Sequence, residues 1–504
     1  MKFTIEQVAE ATAGQVVSRG KGFFTGVSAD SRRISSGDLF VPLRGERFDG
    51  HNYISAALDH GASGFIFEGS AMKSGAAKEL AATKGAAALV VDDTLYALGE
   101  LARSARERFP QLQVVAITGS AGKSTTKEMV ASILARCGKV LKNEGNMNNR
   151  VGLPLTLLWL TDKIEYMVVE LGTNEPGEIA RLSEIARPNV ACVTNVGPVH
   201  LEGLGSIEGV AAEKGALPAA LKKGDCFASN MDDPYVMGMA KRAAARVIAY
   251  TISPKKKGNG AKISSDFRCD EIVSARRIES AVEGINFDLV TGIGDGKIEL
   301  PVPGKHNVIN ALAAAAIARA LDKKLEDVIA GIEQFRPLPM RTEVHRLESD
   351  VVVIEDCYNS NPISASAALD LLAQNAGRAI AVLGEMRELG DTADSAHERL
   401  GVLAALKGVD VLIALGEHAS TTLKGFERHN KKGRAFMAKD AEEAGEKVLE
   451  LLEPGDRVLL KASRMVRLED AFQIIREQWK KLQAGEKKSG KKQARAAREG
   501  GMRG

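Results

Sequence analysis

Short continuous apolar runs recur along the chain, separated by stretches whose apolar positions follow helical spacing. In residues 1–112 the runs 39–43, 64–68 and 87–91 alternate with such stretches, which predicts a small α/β domain. Near Pro110 the pattern changes: 114–117 reads as a buried strand meeting a glycine loop and then the amphipathic stretch 123–135. A strand, a loop and a helix therefore open a second domain, 113–336. The runs 166–171, 190–196 and 246–252 continue it as a mainly parallel, helix-covered sheet. From about 252 to 302 the spacing departs from this: 255–260 reads as a loop, and the alternating stretches 284–290 and 297–302 predict a small antiparallel appendage. The alanine-rich stretch 309–321 predicts a closing helix.

Residues 336–340 carry two prolines and read as a linker, a natural hinge. Beyond them the runs 351–356, 379–383, 411–415 and 457–460 alternate with helical stretches, the pattern of a third, Rossmann-like domain over 337–480. The expected fold class is α/β in three domains: a small α/β N-terminal domain, a central P-loop-type domain with a mainly parallel sheet, and a C-terminal Rossmann-like domain. The 504 residues agree with that number at roughly 150 residues per domain. No internal repeat of solenoid period occurs.

Composition, 44% hydrophobic and 26% charged, excludes disorder of the whole chain. The net charge of +3 suggests a nucleic-acid partner only until its location is read. Nine Lys or Arg and two Glu lie in 480–504, a net of +7, so the remainder carries −4. The body is mildly acidic, nucleic acid is not expected as a partner, and 481–504 is expected to be a disordered basic tail. The five cysteines are odd in number and lack the close pairing of a zinc or redox motif, so they read as reduced thiols. Glu6 and Glu10 stand where a signal peptide would be apolar, and no run of about 18 apolar residues occurs. A cytoplasmic, monomeric protein without membrane insertion is the expectation.

The chemistry-bearing residues begin with VVAITGSAGKSTT, from Val114 to Thr126. Thr118, Gly119, Ser120, Ala121 and Gly122 lie between strand and helix, so backbone N–H groups and a helix N-terminus converge where a polyphosphate binds. Lys123 can bridge outer phosphates, and Ser124 can offer its hydroxyl to Mg²⁺. Strict P-loop spacing needs glycine at Ile117, so the loop is a shortened variant, and a purely structural glycine turn is the competing reading. Glu170, at the exit of an apolar strand in VVELGTNEPGEI, suits the same cation, although an ordinary surface acid would look alike. His200 in NVGPVHLEGLGS can reach the same sheet edge, or be structural. Lys214, beside Glu213 in a helical stretch, reads from spacing alone as a solvated lysine. Asn146, Asn148 and Asn149 offer donors and acceptors for substrate, or simply make turns.

Together these segments resemble the Mur ligases of bacterial peptidoglycan synthesis. TGSAGKSTT, GNMNNRVGLP, ELGTNEPGEI, NVGPVHLEGLGS, PGKHNVINALAA, DCYNSNP, LGEMRELG and KASRMVRLED are similar to family motifs, in the family's order, over about residues 1–480. DCYNSNP is similar to the signature of the branch that adds D-alanyl-D-alanine, and the Asp-Asn-Pro-Arg motif of the diaminopimelate-adding branch is absent. The resemblance implies ATP and Mg²⁺ as cofactors and UDP-N-acetylmuramoyl-tripeptide and D-alanyl-D-alanine as substrates, joined through an acyl phosphate. Lys123 would contact the ATP phosphates, Ser124 and Glu170 would hold one Mg²⁺, and Glu170 with His200 a second. Lys214 aligns with a lysine that many members carbamylate, which would make it an anionic metal ligand. Asn307 and Asn310 match positions near the adenine, and Arg341 and Asp356 positions near ribose and phosphates.

In the first domain GVSADSRRISSGDLFVPLRGERFDGH looks like the uridine-nucleotide site, with Ser31, Arg32, Arg44, Gly45, Asp49 and His51 as candidates. Asn148, Asn149, Thr173, Asn359 and Asn361 are the remaining substrate candidates. Ser124 stands where threonine is usual, Ala462 replaces a common glycine, and the basic tail lies outside the family pattern. The competing readings are another amide ligase of the superfamily, of the diaminopimelate-adding or folylpolyglutamate synthase type, and a nucleotide-driven switch. The guanine-selecting Asn-Lys-x-Asp motif of a GTPase is absent.

Overall fold

A computed structural model describes residues 1–252, 269–281, 283–374 and 376–500, with side chains as far as 484. The segment 255–260, expected to be a loop, lies outside the described residues. Three α/β sheets follow one another along the chain. The first has five strands, and its inner members Gly64–Glu68 and Ala87–Val91 are buried nearly throughout. Such strands read as unbroken apolar runs because both faces are covered.

Nine strands form the central sheet, parallel from Val140–Lys142 through Glu271–Ser280 and then antiparallel through the hairpin Ile285–Thr291 and Gly294–Leu300. Its middle strand, Gln113–Thr118, lies between Tyr166–Glu170 and Val190–Val193. The C-terminal ends of these three strands therefore open on one edge, where a parallel sheet places its ligands. Helices Lys123–Ala135 and Lys305–Ala320 cover one face. On the other, helix Thr94–Glu107 of the first domain buries Leu98, Leu101 and Ala105 in a core shared with Leu153, Leu157 and Leu182 of the central domain. Arg181 to Glu100 at 2.8 Å and Arg187 to Glu107 at 2.6 Å border that contact.

Six strands form the third sheet, parallel except for the edge strand Glu343–Arg346, which runs antiparallel to Val352–Glu355. Helix Pro362–Ala373 starts from an asparagine cap, Asn361, whose side-chain oxygen accepts from Ser364 N–H at 2.9 Å. Helix Glu469–Gly500 follows the third sheet. Its Ala, Lys, Arg, Glu and Gln content favours helix strongly enough to offset the few apolar positions.

Candidate active site

The loop after strand Gln113–Thr118 can be built only with glycine at two positions. Gly119 has φ +148°, and a Cβ there would lie 1.9 Å from Thr194 Oγ1. Gly122 has φ +81°, and a Cβ would lie 2.3 Å from the Asn310 side-chain oxygen. The close approach brings helix Lys123–Ala135 with its unpaired first N–H groups against helix Lys305–Ala320. Thr118 lies behind the loop, fully buried, its hydroxyl donating to Leu171 O at 2.8 Å. The Ser120 hydroxyl donates to Gly197 O at 3.2 Å and accepts from Gly197 N–H at 2.9 Å.

Lys123 Nζ folds back to donate to Gly119 O at 2.8 Å. Burial lowers its pKa, with Glu170 opposing that shift. The Ser124 hydroxyl donates to one Glu170 carboxylate oxygen at 2.6 Å, and the Asn148 amide donates to the other at 2.9 Å. Burial pushes the Glu170 carboxyl up, but the Lys123 charge, the Ser124 hydroxyl, Arg341 and Asn148 outweigh it and hold the group below its usual range. A 4% exposed carboxylate kept ionised beside a serine hydroxyl and a helix N-terminus fits the hard-oxygen donor set of a magnesium–phosphate site. Asn149, by contrast, spends its side-chain oxygen on the N–H groups of Val151 and Gly152, at 3.1 and 2.9 Å, and so makes the turn into helix Gly152–Leu157.

Lys214 is not a solvated lysine. It is 1% exposed on helix Ile207–Ala219, and burial together with the Lys123 charge pushes its amine down to about 7. Its neighbour Glu213 is spent on structure, accepting from Gly177 N–H at 2.7 Å, Ile179 N–H at 2.6 Å and the Thr173 hydroxyl at 3.2 Å. Thr173 is thereby tied into the start of helix Glu178–Ala186.

The third domain closes the cleft from above. The Asn361 side-chain N–H donates to Ser120 O at 3.2 Å, reaching the phosphate loop from the other domain. Arg341 stacks over the Tyr358 ring at 4.0 Å. Asp356 accepts from Thr342 N–H at 3.2 Å and pairs with Lys461, at 3.1 Å. Lys461 Nζ also donates to Asn359 O at 2.5 Å, which orders the loop after Asp356. His200 Nδ1 lies against the Glu388 carboxylate of the third domain, and the contact lowers the Glu388 pKa. Both residues hold positive φ, +53° and +63°, backbone strain of the kind found at functional contacts.

Ser120 through Ser124, Asn148, Asn149, Glu170, Thr173, His200, Asn307, Asn310, Arg341, Asp356, Asn359 and Asn361 thus line one cleft of about 760 Å³ between the central and third domains. Asn307 and Asn310 form its floor: Asn310 donates to the Asn307 oxygen at 3.1 Å, and Asn307 donates to Pro303 O at 2.7 Å. Gly119, Thr118 and Lys214 stand behind the lining. The first-domain candidates are not among its lining residues. Asp30 holds Arg32 through a paired contact at 2.9 Å, and Ser31 O accepts from His60 Nδ1 at 2.8 Å. Arg44 pairs with Glu68 at 2.8 Å and Asp49 at 3.1 Å beside Gly45. His51 is 6% exposed, with Nδ1 on Asp49 at 2.6 Å and Nε2 accepting from Glu68 N–H at 3.2 Å, so both ring nitrogens serve the fold. Asn143, Thr194, Asn195, Tyr358, Glu388 and Lys461 are site residues that motif reading did not single out. Asn195, Tyr358, Glu388 and Lys461 lie inside quoted motifs; Asn143 and Thr194 lie just outside them.

The chain matches three domain families in succession: "Mur ligase family, catalytic domain" over 23–106, "Mur ligase middle domain" over 117–318 and "Mur ligase, glutamate ligase domain" over 340–464. It is 35% identical to the UDP-N-acetylmuramoyl-tripeptide--D-alanyl-D-alanine ligase of Escherichia coli K12, covering 90% of this chain and 93% of that one. Among solved structures it is similar to MurF from Acinetobacter baumannii, with TM-score 0.84 and 33% identity over 95% of this chain and 99% of that one. MurF from Thermotoga maritima in complex with ADP gives TM-score 0.76 and 27% identity over 91% and 98%.

Proposed function

Because the chain belongs to the Mur ligase family, we propose that it is the ATP-dependent ligase that joins D-alanyl-D-alanine to UDP-N-acetylmuramoyl-tripeptide, yielding the pentapeptide precursor of peptidoglycan. The observation that carries this is the near full-length likeness to ligases of that name, over a cleft lined by a glycine loop between strand and helix. Other amide ligases of the superfamily are not favoured. Among the described residues no helix is long and apolar enough to cross a membrane, and the reaction needs none.

The terminal carboxylate of the tripeptide attacks the γ-phosphorus of ATP, the bond to the β-γ bridging oxygen breaks, and an acyl phosphate and ADP result. Lys123 and the first N–H groups of helix Lys123–Ala135 would neutralise the phosphates, so positioning and charge do most of the work. Ser124 and Glu170 would hold Mg²⁺, with His200 and Lys214 as further candidates; when bound, the ion supplies charge neutralisation at the phosphate oxygens. The Lys214 amine, pushed down to about 7 by burial and the Lys123 charge, is neutral in part near neutral pH and so suited to take up CO₂ with loss of a proton and become an anionic carbamate. The neutral amine of D-alanyl-D-alanine then attacks the acyl carbon, and phosphate leaves from the tetrahedral intermediate. An acyl phosphate hydrolyses in water, so Asn361 and its helix exclude solvent by bridging to Ser120. Ser31, Arg32 and the segment from Arg44 to His51 are proposed to receive the uridine nucleotide, with Asn148, Thr173 and Asn359 placed toward the peptide.

Phosphate release measured with each substrate omitted in turn tests the reading. Release only when ATP, UDP-N-acetylmuramoyl-tripeptide and D-alanyl-D-alanine are all present is expected. Release from ATP alone, as a nucleotide switch gives, or equal use of single amino acids, overturns it.

A further inference from the structure

Two groups must be held still for this chemistry, the Glu170 carboxylate and the phosphate loop, and both lie where a strand runs out. Past a strand end the ladder of backbone hydrogen bonds stops, and each N–H and C=O needs another partner. Strand Val140–Lys142 pairs with Tyr166–Glu170 only as far as Lys142 opposite Val168. Glu170 lies beyond that register. The next residue, Asn143, takes over the pairing with its side chain: its amide N–H donates to Glu170 O at 2.9 Å, and its amide oxygen accepts from Glu170 N–H at 3.0 Å. A side-chain amide carries one donor and one acceptor side by side, so it reproduces the two-point contact of a neighbouring strand residue. Asn143 is 1% exposed and is itself pinned, its backbone carbonyl accepting from Lys127 Nζ at 2.6 Å and its amide also reaching Met147 O at 2.9 Å.

The same device recurs at the phosphate loop. Asn195 follows the end of strand Val190–Val193. Its side-chain oxygen accepts from Ala121 N–H at 2.9 Å, and its side-chain N–H donates to Ala121 O at 3.1 Å. Its own backbone carbonyl accepts from Ser120 N–H at 3.0 Å. This commits the N–H groups of Ser120 and Ala121, so the groups left for an anion include those of Gly122 and of the helix start, Lys123 to Thr125; Thr126 N–H already donates to Gly122 O. Asn195 thus decides which part of the loop faces the phosphates.

We infer that Asn143 and Asn195 are positioning residues of the ligase reaction, side-chain amides that continue sheet pairing past two strand ends and so fix the Glu170 carboxylate and the phosphate loop. The inference rests on reading the cleft as a magnesium–nucleotide site, and the test separates the two. Binding of ADP to the full chain is measured by calorimetry with and without Mg²⁺, for the wild type and for Asn143→Ala, Asn143→Ser, Asn195→Ala and Asn195→Ser. The serine variants keep one hydrogen-bonding group but cannot make the two-point contact, and they carry the measurement if the alanine variants do not fold.

Two lost hydrogen bonds at Asn195 are expected to weaken metal-free ADP binding about tenfold. The Asn143 variants are expected to bind metal-free ADP within about twofold of wild type but to need about tenfold more Mg²⁺ for the same tightening. Amide exchange should quicken at Ala121 in the Asn195 variants and at Glu170 in the Asn143 variants, and not across the sheet. Equal losses from all variants in both conditions, or none, overturn the positioning roles. A wild type that does not bind ADP at all overturns the reading of the cleft, and this inference with it.

Discussion

Replacing Gly122 with alanine tests the phosphate loop against a control that the same chain provides. Gly122 and Gly455 hold nearly the same backbone angle, φ +81° and +86°, but differ in what a Cβ meets. At Gly455 nothing lies within 4 Å, whereas at Gly122 the Asn310 oxygen lies at 2.3 Å. Both substitutions carry the left-handed penalty of about 1–2 kcal/mol. Only Gly122→Ala must also displace Asn310, with its 3.1 Å bond to Asn307 and its 3.4 Å contact from the Thr126 hydroxyl. At about 1 kcal/mol per bond, and with the floor of the cleft moved, kcat/KM for ATP should fall by about 5- to 30-fold. Gly455→Ala should keep wild-type kcat/KM, since it touches no part of the cleft. Steady-state phosphate release with all three substrates, read beside a thermal melt of each variant, measures both. If Gly122→Ala keeps wild-type kcat/KM for ATP while melting like Gly455→Ala, the close contact between loop and helix Lys305–Ala320 does not shape the nucleotide site.

Lys123→Ala should abolish phosphate release and also lower the melting temperature, because the buried Glu170 carboxylate loses the lysine charge that offsets its burial; turnover in that variant would refute its role. Asn361→Ala removes a helix cap and the bond to Ser120 together, so urea denaturation should show a loss of about 1 kcal/mol, and phosphate release should slow. Unchanged values for both would rule out the bridge. Hydrogen bonds from the Arg32 side chain and N–H hold the Asp30 pKa down to about 2, below its unfolded value. Its stabilisation is therefore full above about pH 4 and lost as pH falls toward 2. Asp30→Asn should melt below wild type at neutral pH, with the gap closing over that window; a gap that persists at pH 2 would show another cause.

What could be read along the chain follows from burial on both faces of a sheet. Gly64–Glu68, Ala87–Val91, Ala379–Leu383 and Val411–Leu415 appear in the sequence as the same apolar runs that the fold uses as strands. Strand Cys226–Asn230 is as fully buried and pairs on both sides, yet it escapes the pattern because it ends in Ser229 and Asn230. Asn230 is polar for a reason that sequence does not display, since its amide donates to Thr194 O at 2.7 Å, next to the residue that clamps the phosphate loop. Strand Arg434–Ala438, at the edge of the third sheet, is only partly buried and has too little contrast to stand out.

The site divides along the same physical line. Lys123, Ser124 and Glu170 stand at strand ends near glycines, a local arrangement that leaves a local trace. Lys214 misled spacing because Ile207–Ala219 is rich in alanine and glycine on several sides, so no apolar stripe marks which face is inward. His200 and Glu388, Asn361 and Ser120, and Asn195 and Ala121 acquire their roles only from partners that the fold brings from other strands or another domain. A motif records the residues that touch a ligand together with their neighbours in sequence. The groups that hold those residues in place are bound to them through the sheet, and only the assembled sheet reveals them.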